Sequence, residues 1–517
     1  MTSRRPPWAL SILGVAAVAI VCLPLVYLVI RVAGAGPEAW GVLERPRTLT
    51  LVAKTVGLVA AVTAAAVALG VPAAWLVTRS DVPGRRFWAV ALALPLVLPS
   101  YVLALALLAV SGPGGLLGTG TPALTGFTGA FLALTLATYP FVLLLCIAAL
   151  RRADPALEEA ARGLGRTPAQ VFRAVTLPLL RPAIGAGALL VALYSLADFG
   201  VVSLMRAEAL TRAVFLQYRG AFDRDPAAVL ALLLVVLTIL VLVGEQRARS
   251  RLGTGSRGGR TVRAAPVVPL GRWRAAAVAF CAIVTGVGLV LPVSVLLVWL
   301  LRGSPSLDGV TSATLNSLLV AVAAAAVTTL AALPVAVLVA RFRSRWTVAL
   351  ERTGYAANAL PGIVAALAFV FFAARHATAI YQSITLLVVA YLVRFFPQAL
   401  AGVTSALSRA EPKLEEASRG LGRGPAHTLA TVTVPLVGPG LLAGAALVLL
   451  STLKELPATL ILRPSGFDTL ATEVWTATSV TQYSQAAVPA LMLCVLAAPA
   501  VWLLVVRGSR GLDPLGN

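Results

Sequence analysis

The sequence predicts an all-α polytopic membrane protein of about twelve transmembrane helices, arranged as two parallel six-helix repeats. Three observations predict it. Of 517 residues, 59% are hydrophobic and only 12% charged, about half the charged share of an ordinary soluble domain. Apolar runs of about 20 residues, long enough to cross a bilayer, recur along the whole chain. A polar segment, Leu157-Glu-Glu-Ala-Ala-Arg-Gly-Leu-Gly-Arg166, returns 257 positions later as Leu414-Glu-Glu-Ala-Ser-Arg-Gly-Leu-Gly-Arg423.

The expected spans of the first half are 8–31, 52–78, 87–110, 127–150, 183–205 and 227–245. Those of the second are 275–301, 314–340, 355–374, 381–406, 437–462 and 485–506. The first follows Arg4-Arg5 like a signal peptide, but its apolar run continues to about Val29 without a small-residue cleavage site. It is therefore read as a retained span. Arg85, Arg86, Arg151, Arg152, Arg341, Arg343, Arg345 and the arginines of both repeated segments all follow even-numbered spans. The loop 111–126 has no charge, and outer Arg206, Arg212 and Arg219 lie near Asp223 and Asp225. Basic loops stay on the cytoplasmic side, so both termini are expected there.

Residues 247–272 are rich in Gly, Ser and Arg and poor in bulky apolar side chains. They read as a flexible cytoplasmic basic linker between a first half, 1–246, and a second half, 273–517. An even number of spans in each half gives both the same orientation. Such parallel repeats are related by an axis along the membrane normal, and a pathway between them is the natural consequence.

Several functions are excluded. The net charge of +22 sits in loops between spans, so it serves membrane orientation, and no basic, aromatic-bearing soluble domain offers a nucleic-acid site. Cys22, Cys146, Cys281 and Cys494 each fall in an expected span without CxxC spacing, and His376 and His427 are the only histidines. No metal site is assigned. The only lysines, Lys54, Lys413 and Lys454, follow Ala53, Pro412 and Leu453, so no P-loop lysine is present. Energy must come from a partner or an ion gradient.

The repeated segment is shaped. Asp154-Pro155 suits a helix N-cap and first turn, where Glu158 and Glu159 also complement the dipole. Gly163 and Gly165 are expected to stop this helix. Thr167-Pro168 starts another, which runs until Leu177-Pro178 bends the chain. The second copy keeps Pro412, Glu415, Glu416, Gly420, Gly422, Pro425 and Pro435, although little of the apolar sequence around it survives duplication. A connector merely inherited by duplication would have drifted as freely.

Glu159-Ala160-Ala161, Gly165, Phe172 and Leu177-Pro178 together resemble the EAA loop of bacterial ABC importer permeases. The second copy departs mildly, with Ser418, Leu429 and Val434 at the second Ala, the Phe and the Leu. The resemblance covers nearly the whole chain. It implies a type I ABC importer permease in a bacterial plasma membrane, without enzymatic activity or a cofactor of its own. It implies coupling helices built on Glu158, Glu159, Ala160, Gly163 and Gly165, and on Glu415, Glu416, Ala417, Gly420 and Gly422. Each would sit in a groove of an ABC ATPase subunit, two copies in all, which binds ATP and Mg. An extracytoplasmic substrate-binding protein would select the cargo.

Fused double permeases of this kind resemble ferric-iron and thiamine importers. Asp198-Phe-Gly-Val-Val-Ser-Leu and Leu453-Lys-Glu-Leu-Pro-Ala-Thr-Leu-Ile-Leu-Arg463 look like the ferric-iron group. Asp198, Lys454 and Glu455 are expected deep in spans five and eleven, about 24 Å beyond Pro182 and Pro439. Charges at that depth either line a water-filled route, where carboxylates suit hard Fe³⁺, or form a salt-bridge network that holds the halves or closes the gate. An ion-coupled secondary transporter is the competing class.

Overall fold

The computed structural model describes residues 6–112, 114–118, 124–220, 224–252, 267–303, 308–409 and 412–510. Arg4, Arg5, Asp223, Arg257, Arg260 and Arg263 lie outside them. The described residues form helices joined by short turns, with a single isolated β-bridge between Ser80 and Val268.

Every expected span has a helix, in three kinds. Nine helices among the described residues are long and apolar enough to cross a membrane. Span three instead is a pair, Arg85–Val97 and Ser100–Ser111, bent by 90°. Pro99 forces the bend: it holds Leu98 extended and starts the second helix. Spans nine and twelve have the shorter apolar helices Gly362–His376 and Tyr483–Pro499, the former again started by a proline, Pro361.

Spans five and eleven are shorter than expected. Their helices end at Ala197 and Leu453, and short helices, Gly200–Leu204 and Pro457–Leu462, follow each break. Pro457 cannot continue a helix but suits a first turn. Asp198 is extended and accepts from the Val201 N–H, as an N-cap does.

Leu177-Pro178 does not bend the chain away. The helix runs continuously from Pro168 to Ala197 through a π turn at Phe172–Thr176. The same turn occurs at Leu429–Thr433 before Pro435 and at Gly286–Val290 before Pro292. Proline lacks an N–H and crowds the carbonyl four residues back. A wider turn just upstream relieves both, so the helix survives.

Two compact units divide the chain. The first comprises Met1–Val42, Gln217–Val235 and Leu307–Glu473; the second comprises Leu43–Leu216, Val236–Ser306 and Val474–Asn517. Neither is continuous in sequence. In the first unit, helix Trp8–Ala33 packs on Val310–Arg341 and Gly362–His376. Arg31 pairs with Asp225 at 2.6 Å and lies 3.8 Å from the centroid of the Phe371 ring. In the second unit, helix Leu291–Arg302 packs on Ser100–Ser111 and Tyr483–Arg510, and the Trp299 indole N–H donates to the Ala109 carbonyl at 3.1 Å.

Small residues set the helix crossings, as lipid offers no competing hydrophobic drive. A Cβ on Gly70 would lie 2.8 Å from Val142 Cβ, and one on Gly187 would lie 2.9 Å from Val142 Cα. In the first unit, Gly440 and Gly444 face Ala406 and Gly402 in the same close manner.

Both described ends of the expected linker carry structure. Residues 247–252 continue a helix. At the other end, Val268 donates to the Arg79 carbonyl at 2.8 Å and accepts from the Asp81 N–H at 3.2 Å. The Asp81 carboxylate accepts from the Leu270 N–H at 2.9 Å and pairs with Arg274. The Leu270 N–H, then Arg274, hold the Asp81 carboxyl below its ordinary range. A depressed carboxyl stabilises above its unfolded pKa of about 3.9 and loses that contribution as pH falls through the folded value. Asp81→Ala is expected to speed amide exchange at Val268 and Leu270 at neutral pH. Unchanged exchange would show that the anchor does not depend on the carboxylate.

Candidate functional site

The two repeated segments fold alike. Helix Ala156–Gly163 is started by Asp154, whose carboxylate accepts from the Ala156 N–H at 3.0 Å. Its end is a Schellman turn. The Arg166 N–H reaches the Ala161 carbonyl at 3.3 Å, and the Gly165 N–H reaches that of Arg162 at 2.9 Å. Helix Pro412–Gly420 ends identically, from Arg423 to Ser418 at 3.4 Å and from Gly422 to Arg419 at 3.0 Å. Gly165 and Gly422 have φ of +79° and +80°, the left-handed region that glycine enters without a Cβ clash. They stop the helices. Gly163 and Gly420 are instead the last helical residues.

Thr167 then opens the next helix with a capping box. Its N–H donates to Gln170 Oε1 at 2.9 Å, and the Gln170 N–H donates to its hydroxyl at 3.4 Å.

Helical spacing divides each repeated segment into two faces. Glu159, Ala160, Gly163 and Gly165 are exposed, as are Glu416, Ala417, Gly420 and Gly422. The exposed side also presents large apolar groups: Leu157 is 52% and Leu164 81% exposed, Leu414 50% and Leu421 79%. The opposite side carries Ala161 or Ser418, both buried. Ser418 is satisfied locally, its hydroxyl 3.1 Å from that of Thr428.

Glu158 and Glu415 belong to the buried side. The Glu158 carboxylate lies 3.5 Å from Arg79 Nε and accepts from the Thr176 hydroxyl at 3.1 Å. Glu415 Oε1 accepts from Arg341 at 2.8 and 3.1 Å and from the Thr433 hydroxyl at 3.1 Å. Their exposures are 3% and 6%, so neither carboxylate faces outward.

The intramembrane acids also turn inward. Both are 9% exposed. Within the second unit, Asp198 Oδ2 accepts from the Ser100 hydroxyl at 2.7 Å and Oδ1 from the Val201 N–H at 2.8 Å. Within the first unit, Glu455 Oε1 accepts from the Ala458 N–H at 3.4 Å, with Arg394 nearby. A Cβ on Gly362 would lie 2.6 Å from that oxygen. The pattern is reciprocal: a short acid meets a serine, and a longer acid fills the space a glycine leaves. Asp198 ties the break after a long helix to the start of a proline-initiated one, and Glu455 packs against the start of its counterpart. Lys454 is half-buried at the same break. No three His, Cys, Asp or Glu side chains converge on a metal-sized site among the described residues.

The sequence matches the family described as binding-protein-dependent transport system inner membrane component, once over residues 66–251 and again over 332–510. The chain belongs to that family. Both matches contain one of the two loops. A relative at 32% identity over 510 residues, 97% of this chain and 98% of its own, is the Fe(3+)-transport system permease protein FbpB 2 of Haemophilus influenzae. The molybdenum transport system permease protein ModB of Mycobacterium tuberculosis is 35% identical over 47% of this chain and 95% of its own. The sulfate transport system permease protein CysT of Salmonella typhimurium is 30% identical over 45% and 88%. As a family member the chain is a multi-pass inner-membrane permease of an ABC transporter, not an enzyme. Its family works with an ATPase and a substrate-binding protein, and the competing class, an ion-coupled secondary transporter, falls away.

Sequence reading missed Arg79, Arg341, Thr176, Thr433, Ser100 and Arg394. The signal for the arginines was present, since Trp75-Leu-Val-Thr-Arg79 and Val337-Leu-Val-Ala-Arg341 end span two of each half alike.

Proposed function

We propose that this chain forms the membrane path of an ATP-driven importer of ferric iron, delivered by an extracytoplasmic binding protein. Two copies of an ABC ATPase bind ATP and Mg and engage the chain at its two loops. Both termini and both loops face the cytoplasm, as the arginine distribution favours.

The exposed apolar side of each docking helix carries the coupling reading. Leu164 and Leu421, about four-fifths exposed on short polar loops, gain nothing from their own fold. Gly163 and Gly420 point the same way, because a Cβ at either would touch nothing in the chain and glycine weakens a helix. A partner that approaches closely accounts for both features. Full-length similarity to a ferric-iron permease supports the cargo.

Deleting the coding region from iron-starved cells should abolish uptake of labelled ferric iron and spare thiamine, molybdate and sulfate. Intact iron uptake with loss of one of the others would overturn the cargo.

Asp198 and Glu455 act as ties at the helix breaks rather than as iron ligands. Asp198→Asn keeps an oxygen for the Val201 N–H but replaces the charge-assisted bond from Ser100 with a neutral one in which the hydroxyl accepts, a loss of about 1 kcal/mol. Asp198→Asn and Glu455→Gln should therefore lower the melting temperature while flux per folded molecule holds. Reduced flux with normal stability would make them route residues.

A further inference from the structure

Each docking helix carries two adjacent acids, and only the second faces outward. The first is folded back under the loop, where one carboxylate gathers three separate elements. Arg79 and Arg341 are the last residues of helices Pro46–Arg79 and Val310–Arg341. Thr176 and Thr433 are the last residues of the π turns that lead into spans five and eleven. Arg79 reaches a fourth element, donating to the Leu150 carbonyl at 2.9 Å near the end of helix Gly126–Arg152.

We propose that Arg79–Glu158–Thr176 and Arg341–Glu415–Thr433 are coupling struts. They are positioning residues that make the docking helix, the foot of span two and the π turn beneath the next span move as one body. A push on the exposed leucines then reaches two spans at once instead of bending the loop.

Two observations favour transmission over simple adhesion. A buried ion pair adds little net stability compared with apolar packing of equal size, so adhesion alone does not account for it. The triad also recurs where its surroundings do not. Trp75 packs edge-on against Phe172 beside the first strut, at 6.0 Å between centroids; Val337 and Leu429 stand at those places beside the second. The Arg and Glu are 79 residues apart in the first half and 74 in the second, yet an Arg–Glu ion pair forms in each, at 3.5 and 2.8 Å. The struts are the one buried charged arrangement among those described that both loops share.

This inference rests on the loops being ATPase docking sites. The test uses the full chain with its ATPase and binding protein in proteoliposomes, and measures ATPase retained, ATP hydrolysed and iron imported. In the Glu158→Gln/Glu415→Gln variant the ATPase should stay bound and hydrolyse ATP, while iron imported per ATP falls roughly tenfold, as expected for losing charged hydrogen bonds. Unchanged iron per ATP would overturn the struts. So would loss of the ATPase, because the carboxylates would then be acting at the docking face. Should the Gln variant fail to fold, Arg79→Met/Glu158→Leu fills the same space without charge. Normal coupling in that variant would also overturn the proposal. Failure of the docking reading looks different: Leu164→Asp/Leu421→Asp would then leave the ATPase bound.

Discussion

Gly165→Val/Gly422→Val should cut ATP-driven iron uptake by about tenfold or more while the chain still reaches the membrane. Both glycines sit at φ near +80°, where an L side chain costs about 1–2 kcal/mol and a β-branched one is a marked outlier. No neighbour lies within 4 Å of a Cβ at either position, so bulk alone does no harm and the backbone angle decides. Relief of the strain would undo the Schellman turn and re-aim Leu164 and Leu421, the most exposed leucines of the loops. Gly165→Asn/Gly422→Asn separates the two causes, since Asn enters the left-handed region readily. It should retain most uptake. Equal loss with Asn and Val would show that the glycines act through size at a partner surface.

Gly440→Leu should prevent folding of the first unit. A Cβ on Gly402 would lie 2.9 Å from Gly444 Cα, and one on Gly440 would lie 2.3 Å from Ala406 Cβ. The helices Ile384–Arg409 and Val434–Leu453 thus cross nearly backbone to backbone. Overpacking an ordinary core costs about 1–3 kcal/mol, and here the helices themselves must separate. Gly438→Leu is the control, because nothing lies within 4 Å of a Cβ there. Detergent-solubilised yield and melting temperature should fall sharply for Gly440→Leu and hold for Gly438→Leu. Equal behaviour would contradict the close crossing.

Much of this was legible in the chain. Spans were found because a bilayer demands length and apolarity, both local properties. The helix–turn–helix loops were found because capping residues, Gly165 and Gly422 act within a turn of themselves. The breaks at Asp198 and Glu455 were missed because apolar sequence continues past them, and mean apolarity does not register backbone continuity. The π turns were missed because Pro178 reads as a terminator unless the turn upstream can widen. The inward direction of Glu158 was hidden for another reason. Glu158 and Glu159 are adjacent and chemically identical, and only a partner 79 residues away, Arg79, distinguishes them. Ser418 was read as a departure from the loop pattern, and Thr428, its counterpart, is ten residues further on.

Two loops on one chain should each hold one ATPase. The native mass of the purified complex tests it most directly, for the wild type, for Leu157→Asp/Leu164→Asp, for Leu414→Asp/Leu421→Asp, and for all four changes together. Two ATPase subunits should be retained, then one, one and none, with iron uptake lost whenever fewer than two are bound. Two subunits retained by the fourfold variant would contradict it.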